Sequence, residues 1–302
     1  MFNSLLMLNI SLNADVKSTA TTFTIVTIIF TSLTILFDCM IIYRLINSGK
    51  LRKCYSKSSS RRIGLLHSIN TYIHIIGETT IFLLMSSRTL YSDIYIYSKE
   101  EISPSWHCRL LNCLMSMFAS GIYGSYFLQS LFRFWRVMKP HQRLYRKFSF
   151  HFQLIILHWI FIFLLSIPVW FRSVYLPSEN FCLNRFTDTY SSIYISITSV
   201  IIPVCSIIIV YFRIVLHIKH NWQSRKRLRR MKRDISVIKR IILLIFVVLN
   251  VSTAAIILWL LMFIQQYLHP LSYRILCFII AISMPICSIT LLIVSPQLRR
   301  AF

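Results

Sequence analysis

Few residues in this 302-residue sequence could do chemistry, and those few lie within long apolar stretches. Asp38 and Glu78 are each the one charged residue of such a stretch, and His74 and His158 have similar surroundings. No His, Cys, Asp and Glu residues share the spacing of a metal site, and no Ser, His and acid stand out as a catalytic set. We therefore expect no enzyme, no metal and no cofactor, and interpret both histidines as hydrogen-bonded core residues.

The elements that hold these residues are predicted to be membrane-spanning helices. Hydrophobic residues make up 56% of the chain and charged residues 14%, which is more apolar surface than a soluble domain of this size can bury. A helix needs about 20 apolar residues to cross a bilayer. Stretches at least that long, with at most one charged residue, are 18–43, 63–87, 110–132, 148–171, 189–212, 241–268 and 275–298. We predict an all-α membrane protein, a single seven-helix transmembrane bundle over residues 1–302.

The basic residues indicate how the bundle is oriented. Of the 33 Lys and Arg residues, 26 lie in the segments on one side of the predicted bundle: 44–62, 133–147, 213–240 and 299–300. Cytoplasmic loops carry such an excess, so the N-terminus is predicted outside and the C-terminus in the cytoplasm. Asn9-Ile10-Ser11 in the outer tail is a glycosylation sequon, which predicts a glycan on Asn9. These features are typical of a multi-pass protein of the plasma membrane.

A basic run, seven of the nine residues 225–233, lies between the fifth and sixth predicted helices. In a soluble protein this run and the net charge of +24 would indicate nucleic-acid binding. Between two membrane helices on the cytoplasmic side, anionic lipids of the inner leaflet are the more physical partner. We predict contact with these lipids and no nucleic-acid binding.

The eight cysteines divide by compartment. Five lie within the apolar stretches, and Cys54 lies in a loop on the reducing, cytoplasmic side. Cys108 and Cys182 are predicted on the outer side, where a disulfide can persist. We therefore predict a Cys108–Cys182 disulfide that joins the start of the third helix to the loop before the fifth.

Several residues on the third, fourth and fifth predicted helices have characteristic spacings. Arg133, within Phe132-Arg133-Phe134, follows Cys108 by 25 residues at the other end of the third helix. The fourth helix contains Trp159, and in the fifth Pro203 is followed eight residues later by Tyr211. In this pattern the chain resembles the rhodopsin-like (class A) G-protein-coupled receptors, which have a disulfide-bonded Cys, a D/E-R-Y/F triplet, a Trp and a Pro–Tyr pair at these places.

The sequence also departs from that family at several motifs. Phe132 replaces the acid of the triplet, and the sixth helix lacks its usual proline, since none occurs between Pro203 and Pro270. The seventh-helix NPxxY motif is reduced to residues 284–288, MPICS. The second helix has no Asp, and Asp38 stands in the first helix where the family usually has Asn. The resemblance is therefore to a divergent member.

The resemblance implies a cell-surface receptor in which an extracellular ligand binds an outer cavity of the bundle. Binding would shift the bundle to a state that activates a heterotrimeric G protein. The residues implied at the G-protein end are Arg133, Phe134 and Tyr211. The residues expected in the ligand cavity are Glu78 and, two to three turns inward of Cys108, Met115, Ser116 and Ala119.

Some alternatives remain open from the sequence. Glu78 either pairs with a cationic group of the ligand or hydrogen-bonds to His74, one turn earlier. Asp38 is interpreted as a polar contact between helices. The ligand is either a peptide or lipid-like, because the third helix has no acid to bind an amine. A membrane channel or transporter is the alternative function, although the chain lacks the internal repeats typical of transporters.

Overall fold

The computed structural model of the protein describes residues 2–47, 59–95, 106–139, 142–176, 181–184, 188–220 and 271–294, with scattered residues between 253 and 264. This part of the chain is built almost wholly from long helices: α1 (Phe2–Asn47), α2 (Ser59–Tyr95), α3 (Trp106–Met138), α4 (Phe148–Arg172), α5 and α6 (Ser272–Val294). α5 runs through three consecutive pieces, Thr189–Ile195, a π-helical stretch Ser196–Ile201, and Ile202–His220.

The helices coincide with the apolar stretches of the sequence. α1 to α5 contain the first five predicted spans, and α6 covers most of the seventh. Four described helices are long and apolar enough to cross a membrane: Lys17–Asn47, Phe148–Arg172, Thr189–His217 and Ser272–Ile293. α2 and α3 have 37 and 33 residues and carry more polar side chains, many of which are buried within the bundle. The sixth predicted span, 241–268, lies almost entirely outside the described residues.

The outer surface of the described bundle is apolar, as α4 illustrates. The buried residues of α4 recur every three, four or seven residues and form one stripe: His151, Ile155, Ile162, Ser166 and Val169. The other faces of the helix are apolar as well, and Leu157 and Phe161 are more than half exposed. A large apolar surface of this kind is unstable in water, whereas the acyl chains of a bilayer cover it.

α3 is central to the described bundle and packs against α2, α4 and α5. α1 packs against α2 and α6. The buried apolar side chains form two clusters, one around Tyr72, Tyr126 and Tyr211 and the other around Phe82 and Cys108. Residues far apart in sequence, on α2, α3, α5 and α6, therefore share the same interior.

A short hairpin between α4 and α5 is the one strand structure in the described residues. β1 (Val174–Leu176) and β2 (Phe181–Leu183) pair antiparallel, with Tyr175 opposite Cys182. The hairpin packs against α2 and α3. The sequence analysis predicted helices alone, because strands of three residues are too short to show an alternating pattern.

The π-helical stretch of α5 has a local cause in the sequence. Pro203 has no amide hydrogen, and its ring collides with the carbonyl group four residues earlier, that of Ser199. The helix accommodates this by widening over Ser196–Ile201 directly before the proline. The widened turn changes which side chains of α5 face the interior.

Candidate functional site

A cavity of about 300 Å³ lies between α2, α3, α5, α6 and the hairpin. The four residues that the sequence analysis placed in a ligand cavity all line it: Glu78, Met115, Ser116 and Ala119. The volume of the cavity suits one small molecule or the terminal part of a larger one.

Hydroxyl groups from α5 and α6 supply much of the polar lining of the cavity. They belong to Ser192, Ser196, Ser199, Tyr273 and Ser283. Four of the six residues in the π-helical stretch line the cavity, and Ser199 shares a 2.6 Å hydrogen bond with Ser120 of α3. The sequence analysis missed these residues because serines recur throughout the spans, and most hydroxyls in a helix bond to its own backbone.

The hairpin is fixed over the cavity by a buried amide. The side chain of Asn112 on α3 donates hydrogen bonds to Ser173 Oγ at 2.7 Å and to Asn184 Oδ1 at 3.0 Å. Asn112 and Asn184 also line the cavity. The sequence feature that could have identified Asn112 is a polar amide within an apolar stretch, one turn after Cys108.

Cys108 is disulfide-bonded and buried in the first turn of α3. Cys39, Cys113, Cys205 and Cys287 are free cysteines. Cys182 lies in β2, which packs against α3, but its side chain is outside the described residues, as is Cys54. The Cys108–Cys182 pairing therefore stays a prediction.

Glu78 lies in the wall of the cavity, and it does not hydrogen-bond to His74, the partner on α2 that the sequence analysis considered. It is 4% exposed, and its Oε2 atom has no hydrogen-bond partner among the described residues. Neither ring nitrogen of His74 has a partner in that part of the chain either. The alternative in which Glu78 hydrogen-bonds to His74 is therefore wrong.

His74 is held by ring stacking. Its ring lies on the indole of Trp159, with 4.3 Å between centroids, and meets His158 edge-on at 5.4 Å. The ring nitrogens of His158 also have no hydrogen-bond partner among the described residues, so the expectation of two hydrogen-bonded core histidines is wrong. Room for the rings comes from α3, where a Cβ atom at Gly121 or Gly124 would overlap His74 or His158 respectively.

Hydrogen bonds between side chains join α2, α3 and α4 inward of the cavity. Asn70 donates to Ser125 Oγ at 2.7 Å and accepts from the indole N–H of Trp159 at 2.9 Å. Nearby, Gln129 donates to Thr71 Oγ1 at 2.8 Å. These bonds satisfy polar groups that have no access to water and fix the relative rotation of the three helices.

Asp38 joins α1 to α6, as the sequence interpretation expected. Its carboxylate is fully buried and accepts a hydrogen bond from Ser288 Oγ at 3.0 Å. The Tyr72 hydroxyl donates to the carbonyl oxygen of Ser288 at 3.1 Å. Ser288 is the last residue of the altered seventh-helix motif and forms the shared contact of three helices.

The residues implied at the G-protein end lie near the C-terminal end of α3 and in the second half of α5. Arg133 is close enough to Tyr211 to interact electrostatically with its phenol group. Tyr211 is buried, and its hydroxyl has no hydrogen-bond partner among the described residues. Phe134 packs against the core cluster that contains Tyr211.

Phe132, which stands where an acid was expected, packs against two histidines. The rings of His67 and His151 lie 5.8 Å and 5.2 Å from its ring. His67 Nε2 and His151 Nδ1 are 3.2 Å apart, and His151 Nε2 is 3.1 Å from the Tyr145 carbonyl oxygen. Because a carbonyl oxygen only accepts, Nε2 of a neutral His151 carries the hydrogen, and its Nδ1 accepts from His67. Phe132 therefore contacts the two histidine rings through its own ring and contributes no charge beside Arg133.

The comparison with protein families agrees with this arrangement. The family model described as 7 transmembrane receptor (rhodopsin family) matches residues 66–295, most of the chain. The chain belongs to this receptor family. A comparison with curated proteins gives no match. The receptor is therefore a multi-pass membrane protein of a generally non-enzymatic family whose members bind extracellular ligands and G proteins.

Some residues singled out in the sequence lie beyond what the structure describes. Asn9 is in α1, but its side chain is outside the described residues. The basic run 225–233 of the receptor is also outside them. The glycan on Asn9 and the lipid contact of the basic run therefore stay predictions.

The receptor also contains a buried ion pair that sequence reasoning missed. Arg274 on α6 lies 3.0 Å from Asp93 on α2 and hydrogen-bonds to Thr24 on α1, with both charged side chains less than 10% exposed. Arg274 and Asp93 both lie outside the four basic segments that the sequence analysis assigned to the cytoplasmic side. A charge count by loop cannot show that two charges 181 residues apart in sequence are paired.

Proposed function

We propose that the receptor acts at the plasma membrane, where an extracellular ligand binds in the cavity and shifts the bundle to a state that activates a heterotrimeric G protein. The observation that supports this best is that α3 and α5 each contribute residues both to the cavity and to the predicted G-protein site. Met115 and Ser116 of α3 line the cavity, and Arg133 of the same helix lies within electrostatic range of Tyr211 of α5. A ligand between these helices can therefore bias the packing of their inner ends.

The two ends are far apart, so the signal needs an element with two arrangements. Met115 and Arg133 are separated by about 27 Å along α3, at a rise of 1.5 Å per residue. Ser196–Ile201 lines the cavity and precedes Tyr211 on α5, and π-helical turns occur frequently at functional sites, so we assign this role to the stretch. In this proposal a ligand that prefers one form of the stretch moves Tyr211 relative to Arg133, by as much as its affinities for the two states differ.

On the cytoplasmic side, we place the G protein against Arg133, Phe134 and Tyr211. The basic segment 213–240 then lies near the inner leaflet, where each Lys or Arg close to an anionic surface contributes about 1 kcal/mol. Contact with these lipids would hold the segment near the membrane.

The test is nucleotide exchange on purified G proteins by the receptor reconstituted in lipid nanodiscs. We expect Arg133→Ala to abolish exchange, because the positive charge beside Tyr211 is lost. Tyr211→Phe should reduce exchange less, because only a hydroxyl is removed. Arg136→Ala is the matched control, since Arg136 is exposed one turn further along α3. Exchange by Arg133→Ala at the wild-type rate would contradict the proposal.

The same preparation separates the receptor from the channel or transporter alternative. Ligands that stimulate exchange should evoke no current or solute flux across receptor-containing bilayers. A ligand-evoked current without nucleotide exchange would favour the alternative.

A further inference from the structure

The cavity wall has one formal charge among its described residues, and that charge is negative. Glu78 is the acid, and none of the other described residues of the lining is Asp, Lys, Arg or His. The Glu78 side chain is more than nine-tenths buried, with Oε2 unpartnered among the described residues. An ionised carboxylate in such a place is unfavourable until a cation or a hydrogen-bond donor reaches it.

Arg274, the basic residue of α6, has an acidic partner other than Glu78. Arg274 follows Tyr273, which lines the cavity, yet its guanidinium points into a separate small pocket beside Thr24 and Thr89. There it pairs with Asp93. The described bundle therefore neutralises Arg274 and Asp93 with each other and leaves Glu78 Oε2 without a partner among the described residues.

The rest of the lining indicates what that group is attached to. Apolar side chains such as Met115, Leu276 and Ile280 form most of the wall. Tyr123 and Tyr273 add aromatic rings, which attract cations at their faces. Serine hydroxyls on α5 can hydrogen-bond to a ligand but carry no charge that would bind an anion.

From this arrangement we infer that Glu78 binds the ammonium group of a ligand whose compact apolar body fills the cavity between α3, α5 and α6. The inference rests on the proposed function, because it assigns the ligand class of the same cavity. The sequence analysis set amines aside because α3 has no acid, but here the carboxylate comes from α2. The ammonium group belongs either to a small amine or to the amino terminus of a peptide.

Two pairs of probes test the charge and its source. The small-molecule pair is 2-phenylethylamine and 2-phenylethanol, which differ in the ammonium group alone. The peptide pair is Phe-Leu-Phe-amide with a free and with an acetylated amino terminus. Each is titrated into the purified receptor in nanodiscs, and the melting temperature is recorded, because a ligand that binds the folded state stabilises it.

A second measurement locates the binding. Cys287 is a free cysteine in the cavity wall. Its alkylation by N-ethylmaleimide, followed by mass spectrometry of the peptide that contains it, should slow when a probe fills the cavity. Cys205, an exposed free cysteine on α5 that does not line the cavity, is the internal control.

We expect at least one free amine to raise the melting temperature and protect Cys287, and its neutral partner to do neither. Glu78→Gln, which keeps the shape of the side chain, should weaken amine binding about tenfold, as expected for the loss of a hydrogen bond to a charged group. Glu78→Asp should retain part of the effect. Asp38→Asn is the matched control, because it neutralises a buried acid outside the cavity lining and should leave amine binding unchanged.

The inference is overturned if the neutral probes act as well as the amines, if Glu78→Gln binds the amines like the wild type, or if neither amine has any effect. If 2-phenylethylamine alone acts, the ammonium group belongs to a small amine. If the free peptide alone acts, it belongs to the amino terminus of a peptide. The assay contains no G protein, so amine binding without nucleotide exchange would end the proposed coupling and keep this inference. Nucleotide exchange that depends on Arg133, without amine binding, would end this inference and keep the proposed coupling.

Discussion

Individual polar side chains decide how the helices of this receptor pack. Within a bilayer a polar group finds no water, so it bonds to its own helix or to a neighbouring one. Asn70 does the latter on two sides, since it contacts Ser125 and Trp159 at once. Apolar contacts alone permit several rotations of α2, α3 and α4, whereas these bonds are compatible with one.

This contact gives a prediction at the residue scale. Replacing Asn70 with Ala leaves the buried indole N–H of Trp159 and the Ser125 hydroxyl without their partner. Buried groups without a partner cost about 1–3 kcal/mol each, so the variant should unfold at a markedly lower temperature. Thermal unfolding in nanodiscs measures this, and Thr80→Ala, at an exposed position of α2, is the control.

A double-mutant cycle makes the Asn70 prediction specific. Trp159→Phe should add little destabilisation in the Asn70→Ala background, because the bond between the two side chains is already lost. Fully additive effects of the two substitutions would mean that this hydrogen bond is not formed.

At the scale of elements, the start of α5 is held by its N-cap. Asp188 accepts from the Ser191 hydroxyl at 2.7 Å and from the Ser191 amide at 3.4 Å, and it lies 3.4 Å from Arg172. The Ser191 hydroxyl contributes most to lowering the pKa of Asp188 below its ordinary value of 3.8, and Arg172 adds to it, while partial burial opposes the shift.

The lowered pKa gives a prediction with a defined pH range. Asp188→Ala should cost about 0.5–2 kcal/mol at pH 7 through loss of the cap. Because the pKa is lower in the folded state, the stabilisation from the charge is present above 3.8 and is lost as pH falls through the folded-state value. The difference in melting temperature between wild type and Asp188→Asn should therefore shrink below pH 3.8. A constant difference would contradict the assignment.

The hairpin and its covalent anchor give a second prediction about elements. We expect Cys182→Ser to leave Cys108 with a free thiol and to destabilise the folded receptor by about 2–5 kcal/mol, as for other native disulfides. Mass spectrometry of unreduced peptides tests the pairing directly. Cys205→Ser, at an exposed free cysteine, is the control, and free thiols at both Cys108 and Cys182 in the wild type would contradict the prediction.

For the molecule as a whole, orientation in the membrane is the testable property. The excess of Lys and Arg in one set of loops predicts an outer N-terminus and a cytoplasmic C-terminus. An epitope tag at residue 2 should bind antibody on intact cells, and a tag after Phe302 only after permeabilisation. The opposite pattern would exchange the assignments of ligand end and G-protein end. Loss of a glycan in Asn9→Gln would support the same orientation.

The sequence by itself predicted the described helices, their apolar surfaces and the family. A bilayer requires a run of about 20 apolar residues for each helix, so this information is local and can be counted along the chain. The spacing of Met115, Ser116 and Ala119 from Cys108 was also local, because all four lie on one helix with a fixed rise and rotation per residue. This is why these residues could be placed on a cavity wall from the sequence.

The tertiary structure alone decided which side chains meet between helices. Glu78 and His74 are one turn apart on α2, but stacking on Trp159 of α4 holds the His74 ring, so the local bond that the sequence allowed is not made. The sequence gives no sign that Arg274 and Asp93 are paired. The packing of α6 against α2 brings them together. Such contacts depend on the rotation and neighbours of each helix, which result from packing over the whole bundle and are not encoded in any single stretch of sequence.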